Sequence, residues 1–337
     1  MNAFRLILLG FFLTCVSWQS AIAIPPTPQF EVESNDSFLT ANPILLDSDS
    51  KGLVVGSLSF GDNDYFSFAA PAGSRAWILV DTGGDLNPDG VSRDSQVSLL
   101  DTDGTTLIEF DDDDGTGTGC DGTIESGLAS SISGALLTNG GTYFIKVNEF
   151  GFNNVIDPYR LKLVVTTEPG ASLAFGGTTP ATASDLIAPV LTTNTIDSTL
   201  NAGSENWYGI EGRAGDSLFL SLRGDAVDLD LALYDTDGTT QIIEVDSDSS
   251  IPKSEGFCFV LPATGRYYVK VFDIGGVDSG AYSLMASAFN SDGSCEIFSE
   301  DHGLIGTGNG FHGMQIGRLN RFSPASTCAF PESSPGF

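Results

Sequence analysis

The chain repeats itself, and the repeat limits the folds open to it. Leu100-Asp101-Thr102-Asp103-Gly104-Thr105-Thr106 returns as Tyr234-Asp235-Thr236-Asp237-Gly238-Thr239-Thr240, identical at six of seven positions. Gly141-Thr142-Tyr143-Phe144-Ile145-Lys146-Val147 returns as Gly265-Arg266-Tyr267-Tyr268-Val269-Lys270-Val271. Asp64-Tyr65-Phe66-Ser67-Phe68, followed by Ala72-Gly73, returns as Asn206-Trp207-Tyr208-Gly209-Ile210, followed by Ala214-Gly215. The pieces keep their order, and the offset shrinks from 142 to 134 to 124 residues as the second copy loses loop residues. Whatever the first half folds into, the second half must fold into as well.

Within each repeated piece, apolar residues recur at every second position, which is the period of a half-buried strand. The Asp-Thr-Asp-Gly pairs separate two such runs and supply the Asp and Gly that a tight turn requires. Short strands, Gly- and Asp-rich turns and no amphipathic helix specify an all-β fold: two tandem antiparallel β-sandwich, or jelly-roll, modules. The first module spans roughly 29–167 and the second 171–289, with a Glu168-Pro169-Gly170 break between them. Residues 290–337 form a Gly/Ser/Pro-rich tail with no assignable fold.

Composition narrows the function classes. Of 337 residues, 41% are hydrophobic, enough to bury a core and to exclude wholesale disorder. Against 44 acidic residues stand 14 basic ones, a net charge of −30 that repels phosphate backbones and anionic lipid, so neither nucleic acid nor a membrane surface is an expected partner. Residues 1–23 read as a secretory signal peptide. Arg5 supplies the positive end, Leu6 to Val16 is nearly all apolar, and Ala21-Ile22-Ala23 offers the small residues of a cleavage site. The mature protein is expected to begin near Ile24, without membrane insertion, as a secreted, periplasmic or cell-surface protein of a bacterium. Cys120, Cys258, Cys295 and Cys328 then remain, an even number that suggests two disulfides. Cys295 with Cys328 is the favoured pair among three connectivities.

These pieces in this order resemble the bacterial pre-peptidase C-terminal domain, whose relatives include the collagen-binding domains of clostridial collagenases. In the first module the matching stations are Glu33 to Ser37, Gly56-Ser57-Leu58, Asp64 to Phe68, Ala72-Gly73, Leu99 to Gly104, Gly141-Thr142-Tyr143 and Tyr159-Arg160-Leu161. In the second they are Asn206 to Ile210, Ala214-Gly215, Asp230 to Gly238, Gly265 to Tyr268 and Gly280 to Leu284. The resemblance implies a jelly-roll fold and a non-catalytic role in targeting, attachment or secretion. The family usually accompanies a protease, and the two modules leave no length for one here.

Calcium-binding members of that family carry Glu-x-Glu-x-Asn-Asp, then an Asp pair before a strand. By position the resemblance names Glu31, Glu33, Asn35, Asp36, Asp62 and Asp64 as calcium ligands, with Ser34 where a proline is common. The chemistry is apt, because calcium takes six to eight hard oxygen ligands and alternate residues of an extended segment point the same way. The second copy is an internal control. At the offset of 142 the six positions become Leu173, Phe175, Gly177, Thr178, Ser204 and Asn206, with every carboxylate gone. The plainer alternative is that the acids cap turns and keep the chain soluble. A further run, Asp111 to Asp114, does not fit the twelve-residue calcium loop and reads as a solvated loop.

Enzyme readings are thinner. Ile78-Leu79-Val80-Asp81-Thr82-Gly83 ends an apolar run in Asp-Thr-Gly, and Asp278-Ser279-Gly280 offers a second carboxylate, so an aspartic-protease-like hydrolase is the rival function. The duplication instead makes Asp278 the entry to a closing strand. Neither Gly-x-Ser-x-Gly nor His-Glu-x-x-His occurs, and His302 and His312 both fall in the tail. Tyr65, Phe66, Tyr143, Phe144, Tyr267 and Tyr268 read as core. The expectation is a secreted, non-catalytic, calcium-stabilised binding or attachment protein that contacts an extracellular protein or polysaccharide.

Overall fold

The computed structural model describes residues 26–82, 92, 94–113, 129–167, 171–172, 176–186, 193–246 and 253–289. The first module contains β1 (Gln29–Phe30), β2 (Asn42–Pro43), β3 (Lys51–Leu58), β4 (Asn63–Ala70), β5 (Ser74–Asp81), β6 (Ser95–Leu100), β7 (Leu107–Asp112), β8 (Ser130–Leu137), β9 (Gly141–Glu149) and β10 (Ile156–Thr167). The second contains β11 (Ala171–Ser172), β12 (Ser184–Asp185), β13 (Asn194–Leu200), β14 (Asn206–Gly212), β15 (Ser217–Gly224), β16 (Asp230–Tyr234), β17 (Gln241–Val245), β18 (Lys253–Val260), β19 (Gly265–Phe272) and β20 (Gly280–Phe289). Among the described residues the only helices are two three-residue 3-10 turns.

Each module is a sandwich of two five-stranded sheets with the same strand order. The first has β1-β3-β10-β5-β8 over β2-β4-β9-β6-β7, and the second has β11-β13-β20-β15-β18 over β12-β14-β19-β16-β17. The short edge strands are parallel to their neighbours and keep the duplication's register. Gln29 pairs with Val54 and Ala171 with Ile196; Asn42 pairs with Phe66 and Ser184 with Tyr208. All other pairings are antiparallel.

Alternation along β4 and β9 builds the first core. Phe66, Phe68, Tyr143, Ile145 and Val147 turn inward and meet Ile78, Val80, Leu161 and Leu163 of the facing sheet. The strand period divides each aromatic pair. Phe66, Tyr143 and Tyr267 are fully buried, whereas Tyr65, Phe144 and Tyr268 lie on the outer faces, partly exposed. Only half of the aromatic positions read as core therefore belong to it. The Asp-Thr-Asp-Gly turns are the same in both modules: Asp103 accepts from the Thr105 and Thr106 amides, Asp237 does so from Thr239 and Thr240, and Gly104 and Gly238 hold φ near +70°.

The two sandwiches pack face to face through a third apolar cluster. Leu53, Trp77, Leu79 and Val164 of the first module meet Phe219, Cys258, Met285 and Phe289 of the second, all 0–1% exposed. Sheets β1-β3-β10-β5-β8 and β11-β13-β20-β15-β18 thus become the inner layers of a four-layer stack. Their strands are apolar on both faces, which is why Ala76 to Val80 and Leu218 to Leu222 are buried without a break. Polar clamps frame the contact. Arg223 Nη1 donates to Glu109 Oε2 (3.0 Å) and to the Ser133 carbonyl (2.8 Å), the Ser133 and Ser221 hydroxyls lie 2.6 Å apart, and Lys51 Nζ donates to the Ala288 carbonyl (3.1 Å).

Candidate metal centre

Four of the five carboxylates expected to meet, Glu31, Glu33, Asp62 and Asp64, gather at one corner of the first module, and Asp36 stays outside. β1 pairs with β3 and carries the chain past Glu31 and Glu33, and the turn between β3 and β4 brings Asp62 and Asp64 to the same place. Carboxylate oxygens of Glu33, Asp62 and Asp64 all lie within 4.8 Å of one another. Asp64 is fully buried, Asp62 half-buried and Glu33 exposed, so the group opens to solvent on one side.

Asn35 and Glu31 complete the cluster. The Asn35 side chain is fully buried. With its amide nitrogen inward it donates to Glu33 Oε2 (2.9 Å) and Asp64 Oδ1 (3.3 Å); turned over, its carbonyl oxygen joins them as another oxygen donor. Glu31 Oε1 accepts from the Ser57 amide (2.5 Å) and hydroxyl (3.1 Å). Its Oε2 accepts weakly from the Tyr159 hydroxyl (3.4 Å), which donates a short bond to Asp64 Oδ2 (2.5 Å). Gly56 makes this approach possible, because a β-carbon there would lie 2.5 Å from the Tyr159 ring and 2.6 Å from Glu31 Oε2. Asp36 is exposed and reaches the group only through its charge on Glu33.

Electrostatics mark the corner as short of positive charge. Burial, followed by the neighbouring Glu31, pushes the Asp64 carboxyl up to about 9. Burial also raises Glu33, with Asp62, Glu31 and Asp36 adding to it. Tyr159 goes well above a phenol's usual range, first by burial and then by the charges of Asp64 and Glu31. A carboxyl that must hold its proton well above neutrality is one that a divalent cation would displace it from. The donor set of carboxylates plus one amide, all hard oxygens, fits calcium.

At the same corner of the second module, Asn206 stands for Asp64, Tyr282 for Tyr159, Tyr208 for Phe66 and Ser198 for Gly56. Asn206 Nδ2 donates to the Tyr282 hydroxyl (2.8 Å), which is bonded in turn to the Tyr208 hydroxyl, and Ser198 lies against both phenols. Gly177, Thr178 and Ser204 bring no carboxylate, and Leu173 and Phe175 lie outside the described residues. The residues missed from sequence were Tyr159, Gly56 and Ser57. All three sat in quoted family stations, but only the cross-strand register shows that they touch the acids.

A second acidic group, Asp94, Asp112 and Asp113, also has oxygens within 4.8 Å of one another. Burial, then Asp113, Asp112 and Glu149, push Asp94 up to about 6. The run read as a solvated loop thus begins inside β7. Asp111 is buried, with Oδ2 accepting from the Ser131 amide at 2.5 Å, while Asp114 lies outside the described residues.

The residues of the hydrolase alternative occupy separate modules. Asp81 is buried at the end of β5 with Arg160 Nη1 at 3.5 Å, and Asp278 lies in the β19–β20 turn, its amide donating to Asp273. The signal segment, His302, His312, Cys120, Cys295 and Cys328 lie outside the described residues, in which no helix is long and apolar enough to cross a membrane.

The bacterial pre-peptidase C-terminal domain model matches residues 62–149 and 204–273, one stretch in each sandwich. No curated protein sequence matches the chain. Among solved structures, the pre-peptidase C-terminal domain of a Bacillus anthracis collagenase is similar at 18% identity over 37% of this chain and 94% of its own, with a TM-score of 0.24. PliG of Aeromonas hydrophila, a periplasmic inhibitor of g-type lysozyme, is similar at 14% identity over 31% and 96%, TM-score 0.25. The tandem CBM51 modules of a Streptococcus pneumoniae family 98 glycoside hydrolase align at 12% identity over 69% and 83%, TM-score 0.20. The chain thus carries two regions that match the bacterial pre-peptidase C-terminal domain, one in each of its tandem sandwiches.

Proposed function

We propose that the protein is an exported, non-catalytic binding or attachment protein whose first module is stabilised by calcium and which contacts an extracellular protein or polysaccharide. The observation that carries the calcium reading is Asp64, a fully buried carboxyl facing Glu33, Asp62 and Glu31 and, among the described residues, in no ion pair with a cationic side chain. Glu33, Asp62 and Asp64 would hold the ion directly, with Glu31 and Asn35 at the same centre and Asp36 adding charge from outside. Bound there, calcium supplies positive charge and pins the segment before β2 to the sandwich; it has no part in bond-breaking. Export accords with the leader-like first 23 residues. We also assign the buried Cys258 to a disulfide, its partner being Cys120, Cys295 or Cys328.

Thermal unfolding with and without calcium tests the reading. At about a hundredfold excess over Kd, calcium should add about 2.7 kcal/mol to stability, reversed by chelator. Asp64→Asn should abolish the response. A wild-type melting temperature that ignores calcium would overturn the metal assignment.

A further inference from the structure

We infer that Asn139 and Gly140, in the turn between β8 and β9, form a self-modification site at which the chain converts Asn139 to aspartate and isoaspartate; this goes beyond the binding role and does not rest on it.

The turn is held by a tyrosine and needs neither residue. In the first module the Asn139 amide donates to the Tyr143 hydroxyl (2.9 Å), which donates to the Asn139 carbonyl (2.6 Å). In the second, Tyr267 holds Ala263 in the same way, at 3.1 and 2.7 Å. The offset of 124 sets Ala263 and Thr264 where Asn139 and Gly140 stand. The fold thus makes this turn without an amide side chain and without a glycine, and the reactive pair belongs to the first copy alone.

Exposure and a free backbone amide make the pair reactive. Both residues are exposed to water. Gly140 has no side chain to shield its nitrogen, and among the described residues no hydrogen bond holds that amide. The Asn139 side chain makes one long bond there, from Nδ2 to Asp101 Oδ2 at 3.4 Å. The Asp-Gly pairs of the repeated turns show what closes such a site. Asp103 Oδ1 accepts from the Thr105 and Thr106 amides (2.8 and 2.7 Å), its Oδ2 accepts from the Thr106 hydroxyl (2.6 Å), and the Gly104 amide donates to the Asp101 carbonyl (2.8 Å). Asp237 and Gly238 repeat these bonds. In those turns both the side chain and the nitrogen are held; at Asn139-Gly140 the nitrogen is not, and the side chain only weakly.

The Gly140 nitrogen attacks Asn139 Cγ. A bond forms between them, the Cγ–Nδ2 bond breaks, and Nδ2 leaves as ammonia with the proton of the Gly140 amide. Water then opens the cyclic imide. Breaking the new bond from nitrogen to Cγ gives aspartate, and breaking the bond from nitrogen to the original main-chain carbonyl carbon gives isoaspartate. Both products disturb the turn. Aspartate sets a carboxylate against Asp101, where an amide had donated. Isoaspartate also routes the main chain through Cβ and Cγ, so the carbonyl that Tyr143 holds becomes a carboxylate off the chain.

Prolonged incubation of the full chain in mildly alkaline buffer, followed by proteolytic mapping and mass spectrometry, tests this. The fragment with Asn139 should gain the mass of an amino group replaced by a hydroxyl. Part of it should refuse cleavage by an Asp-specific protease, while Asp103 and Asp237 stay cleavable. Gly140→Ala, whose methyl would meet the Ala72 nitrogen at an ordinary 3.4 Å, should slow the conversion about tenfold or more. Incubated wild type should melt lower than fresh protein, and incubated Asn139→Ala, which carries the second module's residue, should not. An unchanged Asn139 would overturn the inference, whether or not Asn309 converts in the sequence's other Asn-Gly pair, which lies outside the described residues. So would an equal rate in Gly140→Ala, which would mean direct hydrolysis by water. Isomerisation of Asp103 as fast as Asn139 would overturn it too, since the held turns would then be no better protected.

Discussion

One corner of the sandwich has been solved in two ways within a single chain. In the first module Asp64 and Tyr159 meet beneath Glu31, with Gly56 leaving room for the incoming carboxylate. In the second, the same strand positions hold Asn206, Tyr282 and Tyr208, neutral groups that hydrogen-bond one another, with Ser198 beside them. The first corner gathers negative charge; the second gathers none. On the calcium reading proposed above, one buried polar position is settled by an external cation and its counterpart by neutral hydrogen bonds. On that reading Asn206 needs no cation, because it carries no charge and Tyr282, bonded in turn to Tyr208, completes its hydrogen bond.

Returning the charge to the second corner should have the largest effect. Asn206→Asp places a carboxyl among phenols with no carboxylate partners to share a metal, so stability at pH 8 should fall by about 3 kcal/mol or more, recovering as the pH is lowered. Chemical denaturation at the two pH values measures this. Next comes the room beneath Glu31. Gly56→Ala should cost about 1–3 kcal/mol in thermal unfolding and weaken any calcium response, since the added methyl collides with Tyr159 and Glu31. The paired tyrosines should then part company. Tyr159→Phe should lower calcium affinity about tenfold in a calorimetric titration by freeing Asp64, whereas Tyr282→Phe should cost about 1 kcal/mol and leave calcium affinity unchanged.

A further expectation is a pH slope. Burial, with Asp246, Asp228 and Asp273 adding to it, pushes Asp230 up to about 7. A carboxyl whose folded value lies above its unfolded value near 3.8 favours folding below that unfolded value. Its contribution is lost as pH rises toward 7. Asp230→Asn, which can still accept the Ile274 amide, should flatten that part of the stability profile. An unchanged slope would place the titration elsewhere.

The duplication made much of this legible. Repeated pieces in fixed order gave the strand sequence and the turns, and the family pattern named acids that converge at Glu33, Asp62 and Asp64. Face-to-face packing of the modules was harder to read. Its sign was the loss of alternation in Ala76 to Val80 and Leu218 to Leu222, where both faces are buried. In the first of these the apolar run leading into Asp81-Thr82-Gly83 looked like the approach to a catalytic aspartate. Inner and outer aromatics could not be separated from composition, because Tyr65 and Phe66 differ only in strand parity. Tyr159 and Gly56 touch the acids through pairings that span more than a hundred residues, and linear spacing does not report these.

The contact through Trp77, Leu79, Phe219 and Phe289 also sets what the protein can do with its two halves. Modules joined by a loose tether would sample many separations, and each would meet a target on its own terms. Under the binding role proposed above, modules joined through this buried seam would present their surfaces at a constant spacing. A target that engaged both would then gain avidity without the entropic loss of a searching linker.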